Sequence, residues 1–101
     1  MSQEASRADG AAVLTRVMTI RNQRGLHARA AARFVKCAEQ FDAEITVAKK
    51  DSSVSGLSIM GLMMLAAGPG TTIEVSAAGA QAELALDALG ALVEGKFGED
   101  E

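Results

Sequence analysis

Trp and Tyr are missing from this chain, Phe occurs only three times, and the net charge is −3 at pH 7. A surface that binds nucleic acid needs a basic field and rings for stacking, so that class is set aside. One His and one Cys cannot furnish the usual ligand sets of a metal centre, and neither a metal nor another cofactor is expected. The single Cys37 can form no intrachain disulfide, which suits a reducing compartment. Its place within a helical stretch reads as packing, and the helical rise puts it about 15 Å from His27, too far for a Cys–His pair. The longest nearly unbroken apolar run, Ile59 to Ala67, is too short to span a bilayer. Residues 1–12 mix Glu4, Arg7 and Asp9 with small residues and lack the apolar core of a signal peptide. The expected location is therefore the cytoplasm.

What is present suffices for one domain: 101 residues, 49 % of them hydrophobic, can close a single core without covalent staples. The reading is a disordered N-terminal tail over 1–12, a domain over 13–95 and a charged C-terminal tail over 96–101. Val13 to Arg21 reads as a strand rich in Val, Thr and Ile, with Leu14, Met18 and Ile20 on one face and Arg16 interrupting them. Ile45 and Val47 alternate with polar neighbours, and a turn near Lys49–Ser52 leads to a short strand around Val54. Thr71 to Ala77 alternates again, with Ile73 and Val75 inward. Ala82, Ala85, Leu86, Leu89, Leu92 and Val93 recur at helical spacing up to Gly95. With a helix after His27 and a short one after Ser58, the order is βαββαβα, an α+β two-layer sandwich.

The chemistry centres on Arg24-Gly25-Leu26-His27-Ala28-Arg29, where a loop becomes a helix carrying Ala31, Phe34, Val35, Ala38 and Phe41 on one face. His27 sits at or just before the first turn, where amides lack intrahelical partners and the macrodipole is positive. A neutral imidazole can attack a phosphoryl group through a ring nitrogen, and the adduct carries charge of about minus two. The N–H groups of Ala28 and Arg29 and the Arg29 guanidinium can receive that charge. The plainer reading is that His27 caps the helix and Arg29 is a solvated charge. Behind them Arg33 and Lys36 extend a basic stripe, equally a docking face or a wet one. Gly68-Pro69-Gly70-Thr71 lacks the lysine of a phosphate loop and reads as a turn.

Gly25-Leu26-His27-Ala28-Arg29, followed by Ala31-Ala32-Arg33-Phe34-Val35, resembles the active-site signature of HPr, the histidine-containing phosphocarrier family of the bacterial phosphotransferase system. Ser58-Ile59-Met60-Gly61-Leu62-Met63 resembles the family's regulatory-serine helix, and the similarity runs over roughly residues 13 to 95. The resemblance implies an antiparallel, open-faced four-stranded sheet with three helices on one side. It implies a phosphoryl carrier, not an enzyme that turns over substrate alone. His27 would accept a phosphoryl group from phosphorylated enzyme I, charged by phosphoenolpyruvate, and pass it to an enzyme IIA. The sugar-uptake branch and the nitrogen-related NPr branch both stay open. Ala30 stands where the family usually has Pro, which adds an orphan N–H and some flexibility to the first turn.

The short helix after Ser58 is apolar on more than one side. Leu62, Leu65 and Ala66 suit its inward stripe, leaving Ile59, Met60 and Met63 partly exposed as an adaptable surface. From the residues alone, core filling and docking weigh equally; the resemblance favours docking of the phosphoryl donor and acceptors. Two roles stand open for Ser58: a plain N-cap, or regulatory phosphorylation by the HPr kinase/phosphorylase, which the resemblance implies. Leu57 departs from the polar or basic residue common before that serine. A rival function is a non-catalytic regulatory interaction module that uses Ile59–Met63, with His27 only a cap. Either way the chain reads as a monomer.

Overall fold

The computed structural model describes residues 12–101, so all but Ala12 of the expected N-terminal tail lies outside the described residues. Strand β1 covers Val13–Thr19, helix α1 Ala28–Ala38, β2 Glu44–Lys49, β3 Ser52–Ser55, α2 Ile59–Met64, β4 Thr72–Ala78 and α3 Ala82–Glu94, with a 3-10 turn over Lys96–Gly98. All neighbouring strands are antiparallel, in the order β1-β4-β2-β3. Ile45, Val47, Ile73, Val75 and Ala77 send their side chains to the covered face and are buried. Val13 and Val17 remain exposed, as alternation along a strand with one wet face requires. The architecture is the α+β, βαββαβα sandwich expected from the residues and the resemblance.

Alpha-helical spacing closes the second layer. Ala30, Ala31, Phe34 and Ala38 of α1 and Ala82, Ala85, Leu86, Leu89 and Val93 of α3 are buried, while Val35, Phe41 and Leu92 pack at the margin. Arg16 interrupts the inner face of β1 because it reaches Asp87 of α3 at 2.9 Å, at the rim where a charge keeps contact with water. Leu14, on the same face as Met18 and Ile20, is exposed. In α2 the inward pair is Leu62 and Leu65. Ala66 corrects the expectation: its φ of 54° turns the chain out of the helix, leaving Ala66 exposed and carrying Ala67 into the core. Lys49 covers this end by donating from Nζ to the Leu65 carbonyl at 3.0 Å and the Ala66 carbonyl at 3.3 Å.

The C-terminal segment differs most from its sequence reading. Residues 96–101 read as a charged tail, yet Phe97 is fully buried, and its φ of 55° is what turns the ring inward after α3 ends. The segment folds back across the start of α1. Arg33 donates from its guanidinium to the Phe97 carbonyl, and the Gln23 N–H donates to the Glu101 carbonyl at 2.5 Å. Arg33 is thus tied to the chain's own end.

Candidate functional site

Gly25 makes the approach to His27. Its φ is +66°, and a Cβ there would lie 2.4 Å from the Ala67 carbonyl oxygen, so the close contact with the loop after α2 excludes a side chain. Leu26, which is buried, donates its N–H to that same carbonyl at 3.0 Å. Asn22, whose side chain is buried, donates from Nδ2 to the Gly25 carbonyl at 2.8 Å. These bonds fix the loop before the helix begins.

His27 occupies the N-cap position of α1 in extended backbone, φ −80° and ψ −178°, but its side chain makes no capping bond. The ladder opens with the Ala31 N–H donating to the His27 carbonyl at 2.8 Å, so the amides of Ala28, Arg29 and Ala30 precede the first intrahelical bond. The ring is 24 % exposed. On one side lies a hollow of ≈ 220 Å³ lined by Arg24, Leu26, His27, Ala66, Ala67 and Gly68. A neighbouring one of ≈ 310 Å³ is lined by Arg24, Arg29, Glu99, Asp100 and Glu101. Both have room for a tetrahedral anion beside cationic groups.

Two contributors to this site, Asn22 and Glu99, escaped the sequence reading, and a third, Arg24, stands in the motif without an assigned role. Arg24 lines both hollows. Glu99 places Oε2 2.5 Å from His27 Nε2 and accepts from Asn22 Nδ2 through Oε1 at 3.0 Å. Asn22 thus joins the loop to the C-terminal segment. Burial of the Glu99 carboxyl works to raise its pKa, but the hydrogen bonds from His27 and Asn22, with the charges of His27 and Arg24, outweigh it and hold the group below its ordinary value. The usable signals were Asn22 three residues before Gly25, a turn pairing, and the acidic run Glu99-Asp100-Glu101 after Gly98.

Away from the ring, Ser58 is the N-cap of α2, and its Oγ accepts from the Gly61 N–H at 2.9 Å. Ile59, Met60 and Met63 are exposed as expected, and Leu57 and Met64, at 78 %, extend the apolar surface. Cys37 packs at the edge of the core, where burial pushes its thiol pKa up, against use as a nucleophile. No group of three or more His, Cys, Asp or Glu among the described residues could hold a metal, and no helix there is long and apolar enough to cross a membrane.

Comparison with known proteins adds to this geometry. Residues 14–95 match the family model described as the PTS HPr component phosphorylation site. Over 89 residues the chain is 51 % identical to the phosphocarrier protein HPr of Neisseria meningitidis, covering 88 % of this chain and all of that one. It is 48 % identical over 86 residues to the phosphocarrier protein NPr of Shewanella violacea, covering 85 % and 94 % respectively. The crystal structure of HPr-C-His from Thermoanaerobacter tengcongensis superposes with a TM-score of 0.83 at 42 % identity, over 87 % of this chain and 99 % of that one.

Proposed function

This chain belongs to the HPr family, the phosphocarrier proteins of the phosphotransferase system, and from that premise we propose that His27 is the residue that carries the phosphoryl group. It is a carrier and not a catalytic enzyme, and its family implies phosphotransferase-system partners. The observation that carries the assignment is an imidazole at a helix start, partly exposed, beside an open hollow and free of any capping bond. A side chain that served only as a cap would bond the first-turn amides. Arg29 and the N–H groups of Ala28 and Arg29 supply charge stabilisation for the adduct, which both transfers need more than they need a general base. Enzyme I is the proposed donor and an enzyme IIA the acceptor, in the cytoplasm, with the carrier a monomer. The functional unit runs from residue 13 through the C-terminal segment.

Ile59, Met60 and Met63, with Leu57 and Met64, form the docking surface in this reading, and their exposure supports it. Ser58 is the proposed regulatory site for the HPr kinase/phosphorylase; a phosphate there would place negative charge within the apolar surface and weaken docking. Incubation with phosphoenolpyruvate and enzyme I, followed by intact-mass measurement before and after acid, tests the central assignment. One acid-labile phosphate, absent in His27→Ala, is expected. No adduct under conditions that charge a control HPr would remove His27 from this role.

A further inference from the structure

The strongest unassigned feature is the contact between His27 and Glu99, two residues 72 positions apart, the second beyond the residues matched by the family model. A carboxylate held below its ordinary pKa is ionised near neutral pH and can only accept hydrogen bonds. One of its oxygens is occupied by Asn22 Nδ2 and the other faces His27 Nε2, so the proton in that contact belongs to the imidazole. In a neutral imidazole a proton on one nitrogen leaves the lone pair on the other. Glu99 is itself secured from behind: Phe97 is buried two residues before it, and the Glu99 N–H donates to the Lys96 carbonyl at 2.9 Å.

We propose that Glu99 is a positioning residue that keeps the His27 proton on Nε2 and so presents Nδ1 as the phosphoryl-accepting atom; this rests on the carrier role assigned to His27. In the forward step the Nδ1 lone pair forms the N–P bond while the bond from phosphorus to the donor protein's imidazole nitrogen breaks, its electron pair leaving with that nitrogen. The Nε2 proton stays in place, hydrogen-bonded to Glu99. The phosphorylated ring is then cationic and departs in the next step as a neutral imidazole, the N–P pair returning to Nδ1. Without that proton the departing group would be an anion and a poor leaving group. Glu99 therefore keeps the adduct transferable. Around this pair stand the cations Arg24 and Arg29 and the further carboxylates Asp100 and Glu101, with neutral Asn22 behind. The phosphoryl group has cations to meet as well as the carboxylates it must avoid.

The test begins with the unphosphorylated protein, where 15N shifts of the labelled His27 ring report its tautomer. Wild type is expected to hold Nε2–H alone in the neutral ring. Glu99→Ala should admit the Nδ1–H form, while Glu99→Gln, which keeps an accepting oxygen but no charge, should preserve Nε2–H. After charging with enzyme I, Glu99→Ala should pass its phosphate to an enzyme IIA roughly tenfold more slowly, with Glu99→Gln in between. Unchanged tautomer and rates in Glu99→Ala overturn the proposal. Faster charging of Glu99→Ala also overturns it, because the carboxylate would then be a blocker. Wild type that takes no phosphate sinks the carrier reading instead and leaves the tautomer measurement standing.

Discussion

Two stretches of chain meet at His27 with opposite character. Arg24 and Arg29, with the open amides of α1, form a cationic side, whereas Glu99, Asp100 and Glu101 bring carboxylates from the C-terminus. The loop is compact in sequence and held by backbone bonds around Gly25; the C-terminal segment is held by one buried ring and contacts to distant residues. A purely cationic pocket would favour the phosphorylated ring over the free one. A carboxylate on the far nitrogen opposes that without removing the cations. In the proposed division of roles, the loop stabilises the charge of the adduct and the end segment keeps it transferable.

The comparison is broken most sharply by detaching one side. Phe97→Ala removes a fully buried ring and is expected to cost about 3 to 5 kcal/mol, read as a lowered midpoint in urea unfolding. Glu99 should then lose its hold on His27, while the loop keeps its bonds through Gly25 and Leu26. A cost below about 0.5 kcal/mol, typical of surface substitutions, would return residues 96–101 to the status of a loose tail.

That tail also marks where local pattern stops informing. Gly25, His27 and Arg29 lie within five positions, so their motif and the loop-to-helix change are legible in the residues themselves. Strand alternation at Ile45 and Val47, and at Ile73, Val75 and Ala77, and the periodicity of α3 are visible for the same reason. Phe97 gives no such signal. Its burial depends on a left-handed backbone at Lys96 and Phe97 that returns the chain to α1, and nothing in Gly-Lys-Phe-Gly specifies what lies there. Ala66, a non-glycine residue with positive φ, hid the end of α2 in the same way. Arg16 interrupts a strand face for a reason that only α3, which supplies Asp87, makes visible. Each miss is a tertiary contact overriding a local pattern.

The cationic side is weakened by Arg29→Ala. Arg29 is exposed and has no ion-pair partner among the described residues, so stability should change by less than about 0.5 kcal/mol. Transfer, measured by rapid-quench labelling, should slow by about tenfold or more, the scale of one charge-assisted hydrogen bond lost in the transition state. If Arg29→Ala transferred at the wild-type rate, Arg24 would be left as the cation lining both hollows.

The smallest effect is expected from pH, and it reads the bond between the two sides directly. The Glu99 carboxyl lies below its ordinary value in the folded protein, its burial outweighed by the His27 and Asn22 hydrogen bonds and by the charges of His27 and Arg24. Its contribution to holding the segment is therefore complete above the ordinary Glu value of about 4.3 and is lost as pH falls through its lower folded value. The part of the Glu99 and Gln23 amide NMR shift change that is lost in Glu99→Gln should appear only in acid, below the ordinary Glu value. Asp100 and Glu101 line the same hollow, so Glu99→Gln identifies which part of the change belongs to Glu99. A Glu99-dependent midpoint above the ordinary carboxylate value would mean that desolvation dominates at this position. The carboxyl facing His27 would then protonate first as pH falls, and the division between a charge-stabilising loop and a proton-holding end segment would fail.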